Sequence, residues 1–489
     1  MGGHGARFGL NHDAIVVVPG IMGTALQDID ADRQVWGFTD PRWLMTAWCG
    51  EDGLAGLALT DGERDALAQG RYNPDTARVR PNGLIGTPAW APTIKGIEPY
   101  TSLVRELKNA SVHSAAVLEF GYDWRLPVDL NGRLLRRAAH EHLRRWRTHP
   151  EQTRAIRDHP AEREAQLVIV AHSMGGLVTQ EAIRLGLGDV RQVVTLGTPF
   201  YGAIKTLALL ESGAGSPTLP HTRLRRNMRD LARGLPGVYD LLPRLRSLLT
   251  QQNDVEDVVA LTASNIADLG ADSDLAAQAF ARFEARHSTP LPGHLAYVGH
   301  HQPTAQSARI SAGGLQTYPE FYEFYANDGL VVRDALGLPA PRRDSGDGTV
   351  PIRSARPIGH IGPRYVAQQH GALPTSKETI KAIVTGLRDE GGLGDRLGDG
   401  EVGLEVPDLA TAGEYFRVSV TRESDPARLS GDIVDLTEKS KRPLRFARDR
   451  DRDDGGLVAD VRAHAGLHRV TVKPGAVEPV TQLILVSET

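Results

Sequence analysis

Four short apolar runs set the terms for what this chain can fold into. AIVVV at 14–18, AAVLEF at 115–120 and LVIV at 167–170 are unbroken rather than alternating, and VRQVVTLGTP at 190–199 follows the same style. Such runs suit strands buried on both faces. Between them lie helical patterns, EPYTSLVRELKNA before the second run and DLNGRLLRRAAHEHLRRWRTH after it. Strands that alternate with helices call for crossover connections, so the expected core is a mostly parallel sheet with helices on both faces.

Two stretches leave that alternation and are expected as lid insertions over the sheet: about 27–95, with Trp36, Trp43, Trp48 and Trp90, and about 201–290, mainly helical and polar with leucine clusters. The composition then changes. DEGGLGDRLGDGEVG, rich in glycine and charge, reads as a linker over 391–404. Beyond it YFRVSV, GDIVDL, PLRFAR, GLVADVRAH, LHRVTVK and VTQLILV alternate with period two between Gly, Pro and Asp. They predict a small antiparallel β-sandwich-like domain over 405–489. The expected division is thus 1–390, 391–404 and 405–489.

Composition narrows the class of partner. With 60 acidic against 56 basic residues in 489, the net charge is −4, and no global field draws the chain to nucleic acid. A single cysteine, Cys49, excludes an internal disulfide. No run approaches the roughly 18 apolar residues of a spanning helix, and no secretory leader precedes the first strand. The chain is therefore expected to be cytoplasmic, with any lipid contact peripheral.

The chemistry is concentrated in Ala171-His172-Ser173-Met174-Gly175, set between the strand LVIV and the helical GLVTQEAIRLG. Strand, tight turn and helix form the nucleophile elbow that exposes a serine hydroxyl, although Ala171 stands where the usual pattern has glycine. A serine nucleophile needs a base and an orienting acid. In α/β-hydrolases they follow in the order acid, then histidine. Asp347, between glycines in DSGDGTVP, and His370, in QQHGALPTSKETIKAIV ahead of a capping-box pair Thr375 and Glu378, satisfy that order. Asp344 and Asp328 compete for the acid; His360 and the pair His300-His301 compete for the base. His172, inside the elbow, is not placed to deprotonate its neighbour. The turn VVVPGIMGTAL offers the Ile21 amide, or that of Met22, to pair with the Met174 amide as an oxyanion hole. It matches no phosphate-binding pattern, and the 17 histidines show no metal-ligand spacing. No cofactor or metal is expected.

Taken together, VVVPGIMGTAL, FGYDWRLP, AHSMGGLV, LGTPFYGA, LPGVYDLLP and GDGTVP followed by QQHGALP resemble the lecithin:cholesterol acyltransferase family. The blocks are scattered through 14–385. The resemblance implies an α/β-hydrolase that moves a fatty acyl group from a glycerophospholipid to serine and then to an alcohol or water, with Ser173, Asp347 and His370 as triad. It puts Asp123, Trp124 and Arg125 near the mouth of the site, touching substrate or tying down a lid. A general lipase or carboxylesterase is the nearest alternative. A hydrolase-fold binding or signalling module with weak catalysis, directed by a terminal β domain that binds a protein partner, is the distant one.

Overall fold

The computed structural model describes residues 10–37, 54–85, 100–158, 163–213, 223–252, 255–311, 314–326, 329–356, 362–388, 402–436, 438–449, 456–475 and 478–487. Cys49, Trp43, Trp48, Trp90, Asp328, His360 and the greater part of the expected linker lie outside them.

Among the described residues six strands form the central sheet: β1 (Ala14–Val18), β2 (Val117–Glu119), β3 (Leu167–His172), β4 (Val190–Leu196), β5 (Leu295–Gly299) and β6 (Arg364–Val366). Their spatial order is β2-β1-β3-β4-β5-β6, and each neighbouring pair is parallel. This is an α/β-hydrolase sheet. The unbroken apolar runs are explained by the two faces. Ala14, Val16, Val18, Leu167, Ile169 and Ala171 enter one core, while Ile15, Val17, Val168 and Val170 enter the other. Each such residue, fully buried, contributes about 1.5–3 kcal/mol for the larger side chains.

Helices cover both faces. On one side lie Val128–Arg147, with Leu135, Ala139, Leu143 and Trp146 inward at helical spacing, and Met174–Arg184. On the other lie Thr101–Ala110 and Lys377–Arg388, which share a core through Leu103, Leu107, Ile380 and Ile383. The last helix is capped one residue later than its sequence suggests: Ser376 Oγ accepts from Thr379 N at 3.1 Å, while Thr375 Oγ1 donates to the Ala372 carbonyl.

The described part of 27–95 contributes a three-stranded antiparallel sheet of Thr24–Asp28, Arg33–Trp36 and Val79–Leu84. The described part of 201–290 is largely helical, but Leu248–Gln252 and Val255–Val259 pair antiparallel and join Ser307–Ser311 and Gly314–Tyr318 in a separate four-stranded sheet. Residues 402–487 build two further sheets around their own apolar cluster, including Val418, Val470, Val472, Ile484 and Val486. Gly403–Glu405 is already strand, and Leu409–Thr411 pairs parallel to Val480–Ser487, one parallel ladder among antiparallel ones. Among the described residues no helix is long and apolar enough to cross a membrane.

Candidate active site

Ser173 stands between the end of β3 and the helix Met174–Arg184 with φ 52° and ψ −127°. A non-glycine residue in that region costs on the order of 1–3 kcal/mol and persists only when its surroundings hold it. They do so here. The Ser173 amide donates to Leu196 O of β4 at 2.9 Å, and its carbonyl accepts from Gly176 N at 3.0 Å. Close approach dictates Gly175, where a β-carbon would fall 2.4 Å from the Pro19 carbonyl oxygen. No such demand falls on Ala171, which sits fully buried between Val18 and Thr195 in the sheet, so a methyl group is accommodated there.

Three side chains far apart in sequence meet at this turn. Ser173 Oγ is 2.8 Å from His370 Nε2, and His370 Nδ1 is 2.7 Å from Asp347 Oδ2. Asp347 is 1% exposed and Ser173 4%. The other Asp347 oxygen accepts from Thr349 N at 3.0 Å and Val350 N at 2.6 Å, and the Asp347 carbonyl accepts from His370 N at 2.8 Å. Because a carboxylate only accepts, the imidazole proton lies on Nδ1 and Nε2 is left to receive the serine proton. The arrangement can carry a proton off a hydroxyl without free rotation of any member.

Of the competitors, Asp328 and His360 lie outside the described residues, and Asp344, His300 and His301 are placed elsewhere. Asp344 accepts from its neighbour Ser345 N. His300 and His301 lie ring against ring at 3.8 Å, and burial, with His300 and Arg422 beside it, pushes His301 down to about 4. Neither ring bonds to Ser173 or Asp347.

His172 has an unforeseen part. Its Nε2 faces the His370 carbonyl at 3.0 Å, so that nitrogen donates, and its Nδ1 accepts from Tyr100 Oη at 2.9 Å. Tyr100 Oη in turn accepts from Gly20 N at 2.8 Å. Burial first, then the nearby His370 ring, hold the His172 imidazole well below its usual range, so it stays neutral. One line of bonds thus joins the Gly20 turn to the loop of His370. Nothing in the sequence around Tyr100 signals this.

Gly20 passes directly over the serine. Next to it, neither the Ile21 nor the Met174 amide has a hydrogen-bond partner among the described residues. A cavity of about 750 Å3 is bounded by His370, Ala372, Ile380, Lys381, Val384 and Leu483.

Asp123, Trp124 and Arg125 are turned inward. Arg125 pairs twice with Asp123, Nε to Oδ1 at 2.9 Å and Nη2 to Oδ2 at 2.7 Å, and donates to Leu57 O at 3.1 Å. Burial alone would lower the Arg125 guanidinium, but the Asp123 carboxylate outweighs it and holds it above its ordinary value. Trp124 donates to Thr24 O and stacks edge-on against Trp36 at 5.5 Å, and the Arg125 carbonyl accepts from Gly237 N. The side chains tie the loops after β1 and β2 together, and the Arg125 main chain joins them to the short helix Pro236–Tyr239.

The lecithin:cholesterol acyltransferase family model matches residues 68–317. The chain belongs to that family. As a lecithin:cholesterol acyltransferase family member it is an ester hydrolase or acyltransferase that acts on lipid acyl groups. No curated protein matches it in sequence. Among solved structures, a Bacillus licheniformis lipase, BlEst2 in its propeptide form, aligns over 97% of this chain and 93% of its own at 12% identity and a TM-score of 0.31. Similarity at that level leaves the fold to be read from the strand order and the family.

Proposed function

We propose that Ser173 is the nucleophile of a lipid acyl hydrolase or acyltransferase, with His370 as general base and then acid, Asp347 as the orienting carboxylate, and a glycerophospholipid as acyl donor. One observation carries the reading: the unbroken line from Ser173 Oγ through both His370 nitrogens to Asp347, at 2.8 and 2.7 Å. Ser173 Oγ attacks the ester carbonyl as His370 Nε2 takes its proton. The carbonyl electron pair moves onto oxygen, where the Ile21 and Met174 amides would receive it. Collapse expels the lysolipid alkoxide, which takes the proton from His370. Water or an alcohol then repeats the sequence on the acyl-enzyme.

The glycerophospholipid assignment rests on the family. Peripheral contact with lipid is supported by Tyr325, Leu330, Leu336 and Leu338, large apolar side chains that stand 44–83% exposed within one short segment.

The test is a panel of lipid esters scored for acyl release by wild type and Ser173→Ala, each with and without an added alcohol. Release by wild type alone supports the assignment, and the product with alcohol present separates transfer from hydrolysis. Equal release by Ser173→Ala, or equal labelling of both proteins by a fluorophosphonate, would remove Ser173 from the reaction.

A further inference from the structure

The segment 368–377 carries His370, and residues beyond 402 hold it on both sides. Before the histidine, Gln368 Nε2 donates to Pro479 O at 2.8 Å and Gln369 Nε2 donates to Leu404 O. After it, Glu478 accepts from Ser376 Oγ and from Lys377 N, each at 2.8 Å. Between these anchors the backbone has only the short 3-10 turn His370–Thr375.

Gln302 connects this segment to the acid. It is fully buried, and its side chain has its hydrogen-bonding capacity filled: Oε1 accepts from Leu404 N at 2.8 Å and Gln369 Nε2 at 3.1 Å, while Nε2 donates to Val402 O and His300 O. The Gln302 backbone exchanges two bonds with Gly346, next to Asp347. Thr304 adds a third tie, accepting from Gly348 N at 2.9 Å while donating to the Gln302 carbonyl. One buried amide pair, Gln302 and Gln369, therefore touches the acid loop, the base loop and the strand Gly403–Glu405 at once.

We propose that the C-terminal β unit positions His370 for catalysis, acting through the Gln302–Gln369 amide pair on one side of the loop and Glu478 on the other. The proposal rests on the triad reading above. Gln302, Gln369 and Glu478 are positioning residues: none contacts Ser173 Oγ, and each fixes where the loop holds Nε2. A base displaced by a fraction of an ångström loses rate without losing substrate affinity.

The experiment is kinetic and is made on the full chain. Gln369→Met and Gln302→Met keep approximate volume and remove the amide donor and acceptor. Active sites are first counted by fluorophosphonate titration, and rates are expressed per titrated site. The expected result is one site per chain, a 10- to 100-fold fall in kcat, an equal fall in the fluorophosphonate inactivation rate and KM within about twofold of wild type. The double variant should be no slower than the worse single one, because the pair acts as a unit. A merely structural role would reduce the number of sites and leave the rate per site unchanged, and that outcome overturns the proposal. If the buried variants do not fold, Glu478→Ala at the outer anchor decides in their place: a 3- to 10-fold fall in rate per site supports the proposal, and a wild-type rate overturns it. Absence of labelling in wild type would instead reject the triad reading, and is distinct from either result.

Discussion

Gly20 and Ser173 are so closely opposed that a β-carbon on the glycine would lie 2.9 Å from the serine Cβ and 3.1 Å from His172 Nδ1. Neither neighbour can move: the serine is pinned in its strained turn and His172 is tied to Tyr100 and to the His370 carbonyl. Gly20→Ala should lower kcat/KM at least about tenfold, or about 1.4 kcal/mol of transition-state stabilisation. Stability should fall by about 1–3 kcal/mol as for other overpacked sites. Steady-state kinetics beside urea unfolding check both.

Asp347→Asn keeps the shape of the side chain but removes the acceptor that fixes the proton on His370 Nδ1. The expected loss in kcat is about a thousand- to ten-thousand-fold, as for an imidazole held in the wrong tautomer. Folding should be little changed, because Thr349 N and Val350 N can still donate to the amide oxygen. Single-turnover acylation with a chromogenic ester measures the step directly.

Ala171 departs from the usual glycine, and its burial between two strands makes the tolerance testable. Ala171→Gly should keep full fluorophosphonate labelling and lose about 0.5–1 kcal/mol of stability. Ala171→Val should cost about 1–3 kcal/mol by overpacking and slow labelling as the turn shifts. Equal behaviour of the two variants would show that the site has room not visible in the packing.

Arg125→Met leaves the Asp123 carboxylate buried without its partner. The expected destabilisation is about 3–5 kcal/mol. Labelling of the protein that remains folded should stay near the wild-type rate, because Arg125 braces loops and does not touch the serine. Chemical denaturation paired with labelling distinguishes this from a substrate contact, which would change KM instead.

Burial lowers the imidazoles of His142, His172, His301 and His468 in the folded chain. The unfolded chain takes up these protons near the ordinary value of 6.5, the folded chain only at lower pH. Stability is therefore full above about pH 6.5 and falls as the pH drops toward 4, the value for His301. Thermal unfolding between pH 7.5 and 4.5 should follow that slope, and His172→Gln should flatten it.

Much of the site is legible in the sequence because each part leaves a local trace. Ser173 sits between a strand and a helix, and Asp347 and His370 follow in loops in the required order. The six-stranded sheet is legible only in part. β1 and β3 are unbroken apolar runs, whereas β4 carries Arg191 and Gln192 near its start, β5 reads LAYVG and β6 is only three residues, RYV, too short for any periodicity. The partners of His172 and Gln302 could not be read from the sequence. Tyr100, Gln369 and Leu404 become their neighbours through tertiary packing over 72, 67 and 102 residues of chain. The capping residue of the last helix moved from Thr375 to Ser376 for a similar reason, since Glu478, a hundred residues on, fixes Ser376.

The anchoring of 368–377 by Leu404, Glu478 and Pro479 also has a consequence in time. A ribosome delivers the elbow first, the acid and base loops later, and the strands that hold the base loop after all of them. The nascent chain can fold its central sheet while Gln302 and Gln369 still lack the Leu404 backbone. The proposed nucleophile is thus made early, and the scaffold that holds the loop of His370 closes only when the later strands have paired.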